Sequence, residues 1–298
     1  MPARALPGAS RLAGSGPGHR RRRAVNRAVE AVCTLAAVVT VAVLALVVAS
    51  VLVKGLPALN LDLFIRDPAP YGHAGGGIAN AIVGSAILVA LATAFSVPVA
   101  IMVAILTTEL AGDRIAAAIR FSLDMLNGVP TVVTGVVIFG VLVVGHGQSG
   151  WTAALALAIV QLPIVARSAQ EVLELVPRGL REAALALGLA RWRIVLRIVL
   201  PTAVGGLVTG AVLGVARVAG ETAPLVFTSS IFSNLGITTD PSRAMPNIPV
   251  TIFSLSESAS PADHARAWAA ALVLIAFVLA LSVTARALHE RSRGRIRG

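Results

Sequence analysis

The feature that most constrains this chain is a series of long apolar runs joined by short polar segments. Residues 31–53 and 78–106 contain no charged side chain. Each run exceeds the ~18 apolar residues that a helix needs to cross a bilayer. In hydrocarbon every backbone N–H and C=O must be satisfied within the segment, so such runs become helices. They are continuous rather than alternating, which argues against a β-barrel. Four further runs, at 121–145, 151–169, 203–229 and 266–287, carry one or two charges each. Only 13% of the residues are charged, where a soluble domain has about a quarter. The expected fold class is an all-α integral membrane protein with six transmembrane helices.

Charge sets the orientation. The formal net charge is +11, which in a soluble protein would suggest nucleic acid. Here the arginines cluster at loop ends and tails, so membrane topology explains them and no nucleic-acid partner is expected. Segments 1–30, 107–120, 167–200 and 286–298 hold seven, two, six and five basic residues. The other side holds four: Lys54, Arg66, Arg243 and Arg266. The positive-inside rule then places both termini in the cytoplasm of a multi-pass cell-membrane protein.

Residues 1–30, with His19 and Arg20 to Arg23, read as a disordered basic tail. Contact with nucleic acid or with anionic membrane lipids is the lesser alternative to a purely topogenic role for its arginines. The run at 31–53 is too long for a signal-peptide core of ~7–15 residues and reads as a retained span. Outward segments fall at 54–77, rich in Pro and Gly and read as loop, and at 230–265, longer and polar, with a short surface helix after Pro261. Gly75-Gly76-Gly77 lacks the strand and helix of a dinucleotide fingerprint. Cys33 reads as a small buried hydrophobe. The five histidines show no metal-ligand spacing. Residues 289–298 form a second basic tail.

Two segments carry more specific information. In 171–201, Pro177 and Gly179 punctuate the start, and Arg181-Glu182-Ala183-Ala184 opens a good helix former. Gly188 can end that helix in a left-handed cap. Arg191-Trp192-Arg193 starts a second helix leading to Ile198, Leu200 and Pro201. The pattern fits an amphipathic connector on the headgroups, or a cytoplasmic helix–turn–helix gripped by a soluble partner.

The other segment is Arg217-x-x-Gly220-Glu221-Thr222-Ala223-Pro224. A central Arg costs at least ~2.5–3.5 kcal/mol to insert. Arg217 lies ~24 Å along the helix from Pro201, in the outer part of the membrane. Arg217 and Glu221 share a helix face. They form either a self-neutralising pair or an anion gate, in which the guanidinium fork meets an oxyanion and Glu221 holds it at rest. Gly220 and Pro224 would let the helix bend or unwind there. Asn127, Thr131 and Thr134 also share a face and either bond between helices or line a polar path.

The string Glu182-Ala183-Ala184-x3-Gly188-x9-Ile198-x-Leu200-Pro201 resembles the EAA loop of ABC importer permeases. That resemblance implies the type I permease fold, with a coupling helix whose Arg181, Glu182, Ala183, Ala184 and Gly188 dock on a cytoplasmic ATPase. The only lysine, Lys54, lacks the glycines of a phosphate-binding loop. Any ATP and Mg therefore belong to a partner ATPase, and this chain is not itself the enzyme. The 217–224 string is similar to that of the phosphate importer permeases of the PstA/PstC type. So are Gly76-Gly77-Ile78-x-x-Ala81-Ile82-x-Gly84-Ser85 and Asn127-Gly128-Val129-Pro130-Thr131-Val132-Val133-x-Gly135, with Ser85 and Thr131 as hydroxyl-conserving departures. The likeness covers residues 74–288. It implies phosphate import with Arg217, Glu221, Thr222 and Thr131 on the path or gate. The implied partners are a second permease of the PstC type, a dimeric ATPase of the PstB type and an extracytoplasmic phosphate-binding protein of the PstS type. The absence of a large outward domain between the first two spans favours the PstA position. A sulfate or molybdate permease, a secondary anion transporter and a membrane anchor or signalling subunit are the competing readings.

Overall fold

The computed structural model describes residues 17–70, 72, 73, 75–229 and 236–296. The chain divides into two units, residues 1–53 and 54–298. The described residues are helical or irregular, with a single isolated bridge between Pro68 and Gly76. Among the described residues, five helical stretches are each long and apolar enough to cross a membrane: Arg21–Ala58, Ala79–Leu110, Gly150–Glu174, Arg191–Val218 and Pro261–Thr284. A bent pair of helices supplies a sixth crossing if counted as one span.

The first unit is one helix, α1, within Pro17–Gly55. The expected disordered tail is thereby corrected for residues 17–30, which continue the span as helix. Residues 1–16 lie outside the described residues. Adding a turn to a formed helix costs far less than nucleating one, and no Pro or Gly interrupts residues 19–54. The hydroxyls of Thr40 and Ser50 donate to carbonyls four residues back, at 2.8 Å each. That bonding satisfies them within a largely exposed helix, on which Cys33 is exposed too and not buried as the sequence suggests.

In the second unit, α2 (Leu61–Ile65) leads to α3 (Ala79–Ile105), which ends in a wider π turn at Leu106–Leu110. Next come α4 (Asp113–Gly128) and α5 (Thr131–Ile138), the latter extended by a π turn at Phe139–Val143. The long α6 (Gly150–Glu174) opens with a reciprocal Ser149–Thr152 cap. After α7 (Arg178–Ala186), a continuous rod runs through α8 (Arg191–Ile194), a π turn and α9 (Leu200–Val218). The short α10 (Ala223–Thr228) and α11 (Ile248–Ser256) precede α12 (Pro261–Ile296).

Small residues build the core. α3 and α6 meet through Ala92, Ala100, Ala104, Ala153 and Ala166, all fully buried. On α9, Gly206, Gly210 and Gly214 face α6. Added Cβ atoms at Gly206 and Gly214 would stand 2.6 Å from Val172 Cγ1 and Val165 Cγ2, and one at Gly210 would strike Ser168. In lipid, where apolar burial does not drive helices together, such close backbone approach is a main source of packing energy.

Three expectations are corrected. The run at 121–145 is no straight span: α4 and α5 meet at 93°. Pro130 cannot donate a hydrogen bond and pushes Val129 into extended backbone, φ −70° and ψ 127°, which ends α4. The stripe of Asn127, Thr131 and Thr134 is therefore split between two helices. The segment 54–77 is not all loop, since it holds α2 with Leu63 buried, and the polar segment 230–265 is helical in part. It contains α11, capped by the Asn247 side chain accepting from Val250 N–H at 3.0 Å, with Ile248, Val250 and Leu255 buried. The surface helix after Pro261 is the start of the last span itself.

The Gly-rich motif at 76–85 serves this outer layer. Gly84 lets the Pro246 carbonyl approach where a methyl group would collide. The Ser85 hydroxyl accepts from Ile248 N–H at 2.8 Å. Asn247 Nδ2 donates to Ser229 Oγ at 3.2 Å, and that hydroxyl bonds the Met245 carbonyl.

Candidate functional site

The structure presents two candidate sites, at opposite ends of the α8–α9 rod. At the first, α7 starts behind Pro177, whose extended backbone serves as N-cap. It ends at Gly188, with φ +77°. Gly188 N–H donates to Leu185 O at 2.9 Å and Leu189 N–H to Ala184 O at 3.1 Å. This is the paired bonding of a Schellman cap, which needs a left-handed residue at the position Gly188 fills. The expected helix–turn–helix is therefore present, with Gly188 as its turn.

The side chains of α7 divide in two. Glu182, Ala183, Leu185, Ala186 and Leu187 are exposed, Leu187 at 82%. Ala184 is 3% exposed and packs with Ala104, Leu173, Ile194 and Val199. Arg181 also turns inward. Its Nε and Nη2 bond Glu109 at 2.6–3.1 Å, while Nη1 and Nη2 donate to the carbonyls of Val176 and Leu173 at 2.5 and 2.8 Å. Of the residues the sequence assigns to the docking loop, Glu182, Ala183 and Gly188 are thus on the outer face. Ala184 and Arg181 are not, because the 100° step of the helix turns both toward α3 and α6. Leu185 and Leu187 join the outer face without having been singled out. Their signal is present in the sequence: two leucines in a polar loop between spans.

At the other end, α9 stops at Val218. Gly220 N–H and Glu221 N–H close a tight turn on Arg217 O and Val218 O, at 3.3 and 3.1 Å. Helix resumes at Ala223, where Pro224 sits in the first turn and its missing N–H costs nothing. The helix is therefore interrupted where Gly220 and Pro224 weaken it. Arg217 Nη2 lies 3.8 Å from Glu221 Oε1, with side-chain exposures of 61% and 16%. The guanidinium projects from the surface of the chain while its carboxylate is largely shielded. Thr222 and Thr131 are half-buried. Their helices meet where Gly135 of α5 touches Pro224, with space of only 2.6 Å between Pro224 Cα and a Cβ at Gly135.

Ion pairs also anchor α4. Arg167 of α6 pairs with Asp124 and donates to Arg120 O at 3.3 Å, and Arg120 pairs with Glu174 at 3.1 Å. Asp124 therefore has a structural partner that sequence distance had hidden.

A multi-pass bundle of small-residue-packed helices, with a capped polar helix–turn–helix between spans and an interrupted charged span, defines a permease subunit. Over residues 96–297 the chain matches the family described as binding-protein-dependent transport system inner membrane component. The chain belongs to that family. It is 40% identical over 246 residues to the phosphate transport system permease protein PstA of Yersinia pestis, covering 82% of this chain and 83% of that protein. It is 35% identical to the PstA of Xylella fastidiosa strain Temecula1, covering 92% and 96%. With PstA 1 of Mycobacterium tuberculosis H37Rv it shares 34% identity, covering 70% and 68%. The fold is similar to the inward-facing MetNI methionine ABC transporter, with TM-score 0.57 and 16% identity over 72% of this chain and 94% of that one. An amino acid ABC transporter solved with histidines gives TM-score 0.55 and 18% identity over 72% and 92%. These likenesses fix the architecture as that of an ABC importer permease.

Proposed function

We infer that this chain is the permease subunit, in the PstA position, of an ATP-driven importer that carries inorganic phosphate into the cell. Its relatives support the phosphate reading, being PstA proteins along most of their length. The observation that carries the mechanism is the position of Arg217. It is a largely exposed guanidinium at a helix interruption, 3.8 Å from its own counter-charge. An uncompensated guanidinium facing lipid would be costly, so its exposed side faces a pore or a second permease. There a planar fork suits an oxyanion. Glu221 holds the fork when no anion is present; Thr222 precedes α10 and Thr131 begins α5, the two helices that meet at Pro224 and Gly135.

Both termini and the 171–201 loop lie in the cytoplasm, following the basic residues. A second homologous permease of the PstC type completes the pore. An extracytoplasmic PstS-type protein delivers phosphate. A PstB-type ATPase dimer binds ATP and Mg, and docks on the outer face of α7 through Glu182, Ala183, Leu185 and Leu187. Closure of the ATPases would push α7 and the rod attached to it, reorienting the spans.

The test is labelled phosphate uptake into proteoliposomes holding the full assembly. With Arg217→Gln, uptake is expected to fall by about a hundredfold, the loss of ~2–3 kcal/mol of charge-assisted bonding, while the ATPase still co-purifies. Wild-type uptake in that variant removes the gate. Inhibition of wild-type uptake by excess sulfate as strong as by excess unlabelled phosphate would make this a general oxyanion permease.

A further inference from the structure

We propose that the Arg181–Glu109 ion pair is a positioning joint that transmits movement of α7 into α3 and α6, in addition to the covalent route into α9. The proposal rests on the reading of this chain as an ATP-driven permease.

Along the chain, α7 is flanked by two points of weakness. Pro177 stands at its start and the left-handed Gly188 at its end. Neither a proline corner nor a glycine turn makes a stiff lever. Packing at Ala184 resists compression, but a methyl group defines no direction for a pull. Arg181 supplies what the backbone lacks. One guanidinium sits at the meeting point of three elements. It holds Glu109 in the π turn ending α3, the carbonyls of Leu173 and Val176 behind the last turn of α6, and its own helix α7. The fork is planar, and Nε and Nη2 bond Glu109 together, which fixes orientation as well as distance.

Burial separates this pair from its neighbours. The side chains of Arg181 and Glu109 are 20% and 8% exposed, against 41% and 58% for Arg120 and Glu174 nearby. A pair shielded from water is little screened and has few alternative rotamers, whereas exposed pairs contribute little. Behind it, Gln170 Nε2 of α6 donates to Thr107 Oγ1 at 2.8 Å, with both residues buried. α3 and α6 are therefore bonded to each other next to the point where Arg181 grips both. A displacement of α7 reaches two spans at once, although Glu109 and Arg181 are 72 residues apart.

The test uses the full assembly in proteoliposomes and reads phosphate imported per ATP hydrolysed. Glu109→Ala is expected to lower that ratio by about tenfold, with ATPase co-purification unchanged and hydrolysis retained within about twofold. Glu109→Asp should recover part of it. Arg181→Lys, which keeps the charge but not the fork, should behave like Glu109→Ala. Misfolding would lower uptake and hydrolysis together and leave the ratio unmoved, so an unchanged ratio overturns the joint, as does loss of uptake in step with loss of the ATPase. A second arm does not depend on phosphate. Spin labels at the exposed positions Leu106 and Leu185 should show a narrow distance distribution in the wild type and a broad one in Glu109→Ala. An equally narrow distribution in both overturns the joint. A wild-type assembly that imports no phosphate on ATP overturns the functional reading instead, and the spin-label arm still decides the joint.

Discussion

Gly135 of α5 and Pro224 of α10 pack backbone against backbone: a methyl group added at Gly135 would stand 2.6 Å from Pro224 Cα. The contact binds α5 to the segment that follows Glu221, so the Arg217–Glu221 turn and the bent pair α4–α5 share one joint. Gly135→Ala must push α10 aside. Overpacking of this kind costs ~1–3 kcal/mol. The expected result is a lower melting temperature in detergent together with reduced uptake. Gly140→Ala, where an added Cβ meets nothing within 4 Å, is the matched control and should melt like the wild type or slightly higher.

If Arg217 is the anion gate proposed above, Glu221, 3.8 Å from it, competes with the transported anion. Its neutral analogue, Glu221→Gln, should therefore bind phosphate more tightly and release it more slowly. The pair is exposed on the arginine side, so the effect is limited to ~1 kcal/mol, or about fivefold. Initial-rate uptake should show KM and the maximal rate falling together. A higher KM would assign Glu221 a direct role in binding.

The outer face of α7 should behave as an apolar docking patch. Burying a leucine contributes ~1.5–3 kcal/mol to an interface, and Leu187 is 82% exposed in the isolated chain. Leu187→Asp should weaken ATPase co-purification at least tenfold without changing the melting temperature of the permease. Gly188→Ala should act differently. It forces a Cβ into the left-handed region at a cost of ~1–3 kcal/mol, disordering the cap, whereas Gly188→Asn should be milder.

On the opposite side, Asp263 and Arg266 form a buried pair, with side-chain exposures of 0% and 8%. Asp263 also accepts from Gly72 N–H at 2.9 Å and Ser258 Oγ at 2.6 Å, and Arg266 donates to Ala69 O at 3.3 Å. The pair therefore latches the segment around Ala69 and Gly72 to the start of α12. Asp263→Asn leaves a buried guanidinium without its charge partner, at a cost of ~3–5 kcal/mol. Limited proteolysis should then cut within residues 67–77, where the wild type resists. Removing both charges, in Asp263→Leu with Arg266→Met, should restore part of that resistance.

Much of this protein is written in local chemistry. A solvent of lipid demands helices wherever hydropathy is high, so the apolar runs alone determine the all-α class and most crossings. The Gly188 cap and the interruption between Arg217 and Pro224 are also legible, because a missing Cβ or a missing N–H acts on its own residue. The tertiary structure decided the rest. Sequence spacing placed Ala184 and Arg181 with Glu182, but only the packing of α7 shows that they turn inward to Leu173 and Glu109. That α4 meets Arg167 through Asp124 and Glu174 through Arg120, and that Ser85 bonds the first turn of α11, is likewise decided by the fold. Hydropathy and turn preference depend on a few neighbouring residues. The partner of a charge or a hydroxyl depends on which distant segment the fold brings within 3 Å, and no local pattern records that.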